Sequence, residues 1–129
     1  MKESFQLKEV FKVKPSAIYQ AWLDSELHSQ MTGGEAECSQ QVGESFTAWD
    51  GYISGKNEAF IENEKIVQSW RTTEFPEKEE DSNLTIILTE IEESTELTLI
   101  HNNIPTGQTQ YKQGWIDHYF EPMKVYFNQ

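Results

Sequence analysis

The 129-residue chain has one cysteine, four prolines, seven glycines and only ten lysines and arginines. A lone Cys38 cannot close an internal disulfide, so the fold must stand on its hydrophobic core, in keeping with a reducing compartment. The scarcity of proline and glycine excludes collagen-like and low-complexity classes. No apolar run approaches the ~20 residues that cross a bilayer. The opening MKESFQLKEVFKVK also lacks the unbroken apolar stretch of a signal peptide, so a cytoplasmic protein is expected. Against the ten basic residues stand 22 acidic ones, a net charge of −12 with histidine neutral. Such a surface repels phosphates, which argues against nucleic acid and anionic membranes as partners.

Several chemical signatures are missing as well. There is no G-x-S-x-G elbow, no Gly-Lys phosphate loop and no G-x-G-x-x-G. None of His28, His101 and His118 has a second ligand at metal-motif spacing, so neither metal nor cofactor is expected. Asp117 and His118 are sequence neighbours, and adjacent helix positions point about 100° apart, so they do not form an orienting pair. Cys38 lies among Glu35, Glu37 and Glu44 with no nearby cation, which raises a thiol pKa and makes a poor nucleophile.

What is present reads as one compact unit over residues 1–129. A mass of 15.0 kDa corresponds to roughly 7,000 Å² of folded surface, enough burial for a sizeable core. From Ser4 to Val13, Phe5, Leu7, Phe11 and Val13 alternate with polar residues, as a half-buried strand requires. Pro15 suits a first helical position, and Ile18, Ala21 and Trp22 follow at helical spacing up to Asp24-Ser25. A second short helix is expected over residues 26–31, ended by Gly33-Gly34, after which Glu35 to Gln41 has no assignable pattern. Asp50-Gly51 between β-prone runs predicts a type I′ hairpin. Asn63-Glu64 and Glu93-Ser94 predict two further antiparallel turns, giving a meander. The acidic segment Glu74 to Asn83 reads as a solvated connector.

Residues 108–127 carry a helical stripe of Tyr111, Trp115, Tyr119, Met123, Tyr126 and Phe127. So much ring area needs a large concave partner. The expectation is therefore an α+β fold in which a curved antiparallel sheet of about six strands wraps a long C-terminal helix, with two short helices after the first strand. A kink is expected at Pro122.

Two layers of this kind leave a space between them. Trp70, His101, Trp115, Tyr119 and Met123 are candidate lining residues: rings and a thioether supply contact area and His101 a polar handle. The bland alternatives are core packing for the aromatics and strand-end packing for His101. Glu9 shares the parity of the inward residues and is a candidate buried acid. A bulge or a structural hydrogen bond is its competing explanation.

The order of elements and several strings resemble the activator of Hsp90 ATPase homologue 1-like (AHSA1-like) C-terminal domain family of the SRPBCC, START and Bet v 1-like helix-grip superfamily. They are LKEVF at Leu7 to Phe11, IYQAWLDSE at Ile18 to Glu26 and VGESFTAWDGYISG at Val42 to Gly55. Further along come IVQSWR at Ile66 to Arg71, LTLIHNNIP at Leu97 to Pro105 and QGWIDHYFEPMKVYF at Gln113 to Phe127. The resemblance implies a helix-grip fold and a binding module with no shared catalytic set. A small apolar ligand or an Hsp90-type chaperone are the implied partners, with the chain a monomer or homodimer. In the eukaryotic co-chaperone this domain follows an N-terminal domain that docks on the chaperone's middle segment, whereas this sequence starts at the first strand. The alternatives are an enzyme of cyclase or hydrolase type using Glu9 or His101, and a protein-interaction surface alone.

Overall fold

In a computed structural model that describes residues 2–128, the chain runs β1 (Glu3–Phe11), α1 (Pro15–Leu23), α2 (Ser25–Thr32) and β2 (Ser45–Ala48). It continues through β3 (Ile53–Ile61), β4 (Lys65–Thr72), β5 (Ser82–Ile91) and β6 (Ser94–Ile104). The last segment consists of α3 (Tyr111–Trp115), a π-helical turn (Ile116–Phe120) and α4 (Glu121–Phe127). The six strands form one antiparallel sheet in the order β1-β6-β5-β4-β3-β2. It is thus a meander from β2 to β6, with β1 returning along β6. The helices cover the concave face, as the sheet-around-helix expectation required.

The turns follow local chemistry. At the β2–β3 hairpin, Asp50 (φ 60°) and Gly51 (φ 90°) are both left-handed and the Tyr52 amide donates to the Trp49 carbonyl at 3.1 Å, the pattern of a type I′ turn. Trp49 is itself left-handed at φ 52°, a strained state for a bulky residue. The β3–β4 turn uses left-handed Asn63. The β5–β6 turn is centred on Glu92 and Glu93, one residue before the expected position, with Glu92 left-handed.

Helix α2 starts on Asp24, whose Oδ1 accepts from the Leu27 amide at 2.9 Å, and ends on left-handed Gly33. The stretch after it, unreadable as sequence, is tied by side chains. Ser29 Oγ accepts from the Ala36 amide at 2.9 Å and Ser25 Oγ from the Cys38 amide at 2.8 Å. Glu37 makes an isolated bridge to Thr47. The acidic connector is not wholly solvated. Phe75 is buried against Trp70 and Tyr111, and Arg71 binds the Pro76 and Glu79 carbonyls and Asp81.

Pro122 disturbs the C-terminal helix in the expected place but by a different device. Without an amide hydrogen, it offers nothing to the carbonyl of residue 118. The preceding turn widens to π geometry, in which the Glu121 amide donates to the Ile116 carbonyl five residues back. Tyr111, Trp115, Tyr119, Phe120, Met123 and Phe127 are all buried along this helix.

Candidate functional site: an aromatic cavity between sheet and helix

Where the β2–β4 half of the sheet meets α3 and the π turn, side chains leave a cavity of about 300 Å³. The β2–β3 turn contributes Trp49 and Tyr52, the strands contribute Ile53 and Trp70, and the helix contributes Tyr111, Gly114, Trp115, His118 and Tyr119. Exposed Tyr52 and His118 mark its mouth. The rings brace one another. Trp115 lies 4.6 Å from Tyr119 and 5.6 Å from Trp70 between centroids, and Trp22 stacks behind Trp115 at 6.1 Å. His118 meets the Trp49 ring edge-on at 5.5 Å, joining helix to hairpin. Gly34 makes room for the Trp49 ring, since a Cβ there would stand 2.4 Å from it.

Behind Tyr52 and Tyr111 the lining is backed by a hydrogen-bond network. Tyr111 donates its hydroxyl to Gln108 Oε1 at 2.7 Å and so accepts from the Thr72 hydroxyl at 2.6 Å. The Tyr52 hydroxyl donates to the Glu74 carboxylate, and Gln108 Nε2 to the Glu74 carbonyl at 2.9 Å. Partial burial, then Glu74, raises the Tyr52 pKa; burial leads for Tyr111 too. Tyr119, also a lining residue, is almost wholly buried. Its hydroxyl donates to His28 Nε2 at 2.8 Å because His28 Nδ1–H is committed to the Trp22 carbonyl at 2.9 Å. Burial pushes the Tyr119 phenol up and the His28 imidazole down.

Of the expected lining residues, Trp70, Trp115 and Tyr119 face the cavity, whereas His101 and Met123 do not. Met123 is fully buried in the core beyond the π turn. His101 is 0% exposed and has both ring nitrogens engaged, Nδ1 with Trp115 at 3.0 Å and Nε2 with Ser82 at 2.8 Å. It therefore has no free polar handle to offer a ligand, and burial holds its pKa down at about 3. Glu9 does have inward parity, but it is not a sealed acid. Its side chain keeps 28% exposure and its carboxylate pairs with Lys124 of α4 at 2.9 Å. Burial followed by Asp24 pushes the Cys38 thiol up to about 12, well away from a reactive thiolate. Among the described residues, no three His, Cys, Asp or Glu side chains gather as metal ligands.

The lining residues that the sequence reading passed over are Tyr52, Ile53, Tyr111, Gly114 and His118. Two signals were available. Rings flanked the Asp50-Gly51 turn, and Tyr111, Trp115 and Tyr119 recur at four-residue steps, with Gly114 and His118 on an adjoining row.

Residues 12–128 match the family described as activator of Hsp90 ATPase homolog 1-like protein. The chain belongs to that family. The mouse activator of 90 kDa heat shock protein ATPase homolog 2 is 26% identical over 122 residues, 94% of this chain. An uncharacterised protein of Schizosaccharomyces pombe is 26% identical over 118 residues, 91% of this chain. This AHSA1-like chain spans 37% and 35% of the lengths of those two relatives. The crystal structure of an HSP90 activator from Plasmodium falciparum superposes with a TM-score of 0.88 at 27% identity, covering 97% of this chain and 96% of that one. The helix-grip fold of the family is thus the fold of this chain. No helix among the described residues is long and apolar enough to cross a membrane.

Proposed function

We propose that this AHSA1-like domain is a non-enzymatic, cytoplasmic binding module that engages an Hsp90-type chaperone and admits a small apolar ligand to its aromatic cavity. The likeness to the Plasmodium activator carries the first part. It extends over 97% of this chain and 96% of that one. The cavity supports the second part. Its lining is mostly aromatic side chains, and its volume of about 300 Å³ sits at the lower end of small-molecule sites.

Chaperone engagement is tested with the chain as it stands. It is mixed with the Hsp90-type chaperone of its own organism, and binding is followed by calorimetry alongside chaperone ATPase turnover. Saturable binding supports the reading, with or without stimulation, and absence of heat at high micromolar concentrations overturns it. The cavity is tested separately by native mass spectrometry of freshly purified protein and by tryptophan fluorescence titration, since Trp49, Trp70 and Trp115 all line it.

A further inference from the structure

The cavity walls present Trp49, Tyr52, Trp70, Tyr111, Trp115 and Tyr119, six π systems whose faces carry negative electrostatic potential. Among the lining residues there is no lysine or arginine. Among the described residues, the carboxylate bonded to the wall is that of Glu74, which accepts from the Tyr52 hydroxyl, while Gln108 ties its backbone to Tyr111. The molecule around them carries a net charge of −12, so the field outside draws cations towards the mouth. A weakly hydrated organic cation uses both the rings and the field, since it binds ring faces by cation–π attraction and gives up little hydration on entry.

Size narrows the class further. A space of about 300 Å³ lies at the lower end of small-molecule sites, which favours a small occupant. A quaternary ammonium group with a short or aromatic substituent matches that scale better than a diacyl lipid does.

We propose that the cavity is a binding site for a small quaternary ammonium or comparable organic cation, held by the ring faces and drawn in by the Glu74 carboxylate. This rests on the cavity being a ligand site, and the test separates the two ideas. Phenyltrimethylammonium and its neutral isostere tert-butylbenzene are titrated against the full chain at pH 8 and low salt, with tryptophan fluorescence as the readout. Binding of the cation at least tenfold tighter than the isostere supports the proposal. Equal or tighter binding of the isostere overturns the cation preference and leaves an apolar cavity site standing. No response to either overturns both.

Two rim variants, checked for native circular dichroism, carry the assignment to residues. Glu74→Gln is expected to weaken the cation severalfold and leave the isostere unchanged, and Tyr52→Leu to weaken the cation more than the isostere. If neither variant shifts the cation's affinity, the cation binds elsewhere and the assignment fails.

Discussion

The indole Nε1–H of Trp115 donates to His101 Nδ1 across 3.0 Å, and that bond decides which ring nitrogen of the histidine carries the proton. Indole is a donor only, so Nδ1 must be bare and Nε2 protonated. Nε2–H then donates to Ser82 Oγ at 2.8 Å, whose own hydroxyl donates to the Trp70 carbonyl at 2.6 Å. The chain of bonds joins α3 to β6, β5 and β4 behind the cavity wall. It is satisfied only with a neutral imidazole.

Stability should therefore fall in mild acid. Burial lowers the native pKa of His101 from 6.5 to about 3 and shifts His28 in the same direction. Below pH 6.5 the unfolded chain binds more protons than the native one, so this stabilisation is complete above the unfolded value and is lost as pH falls. His101 alone contributes a slope approaching about 1.4 kcal/mol per pH unit between roughly pH 6 and pH 4. Urea unfolding from pH 8 to pH 4 measures it. His101→Gln should be less stable at pH 7 and show a shallower slope; an unchanged slope would mean that the native imidazole is already protonated.

Trp115→Phe keeps a ring in place and deletes the donor, leaving His101 Nδ1 buried without a partner. The expected cost is about 1–3 kcal/mol, the penalty of an unsatisfied buried acceptor, plus some lost contact area. Chemical denaturation at pH 7.5 reads it, and a loss below about 0.5 kcal/mol would show that the bond is unimportant to the native state.

Gly55 lies in β3 where the strand presses on its neighbour. A Cβ there would stand 1.9 Å from the Ser69 carbonyl oxygen and 2.8 Å from the Phe46 ring. Overpacking against movable side chains costs about 1–3 kcal/mol. Here backbone is the obstacle, so Gly55→Ala is expected to cost about 3 kcal/mol or more in the same denaturation assay.

Much of this architecture is legible before any coordinates. The alternation around Phe5, Leu7 and Phe11, the Asp50-Gly51 turn and the four-residue recurrence of rings from Tyr111 each follow from a local period or a local torsional requirement. What escapes depends on distant partners. Asn57 and Gln68 carry polar amides, yet both are buried: Trp22 Nε1–H donates to Gln68, Gln68 to Asn57, and Asn57 to the Ser39 and Gln41 carbonyls. A polar side chain becomes interior when others complete its bonds, and no periodicity records that. His101 is the same case, an imidazole consumed by Trp115 and Ser82, which lie far from it in sequence or on another strand.

The Glu9–Lys124 pair joins β1 to α4 at a half-exposed edge. Exposed pairs of this kind contribute about 0–1 kcal/mol, and less as salt rises. Glu9→Gln is accordingly expected to cost under about 1 kcal/mol, with the difference from the parent shrinking between 0.05 and roughly 1 M salt. A cost several times larger would return Glu9 to the interior and revive it as a candidate acid.

Gly114 gives the sharpest link between stability and the cavity. It lies inside α3 on the cavity wall, and a Cβ built on it would meet nothing within 4 Å. Glycine in a helix interior costs about 0.5–1 kcal/mol relative to alanine, so Gly114→Ala should raise stability by that amount because no clash opposes it. Gly114→Leu carries the substitution into the empty space. If the space is where a ligand sits, the leucine variant keeps or exceeds the parent's thermal midpoint while its tryptophan fluorescence no longer responds to the probe that titrates the parent. A variant that is more stable and still binds would place the site elsewhere. Stabilisation with loss of binding would show that the helix gives up stability at Gly114 to keep the cavity open.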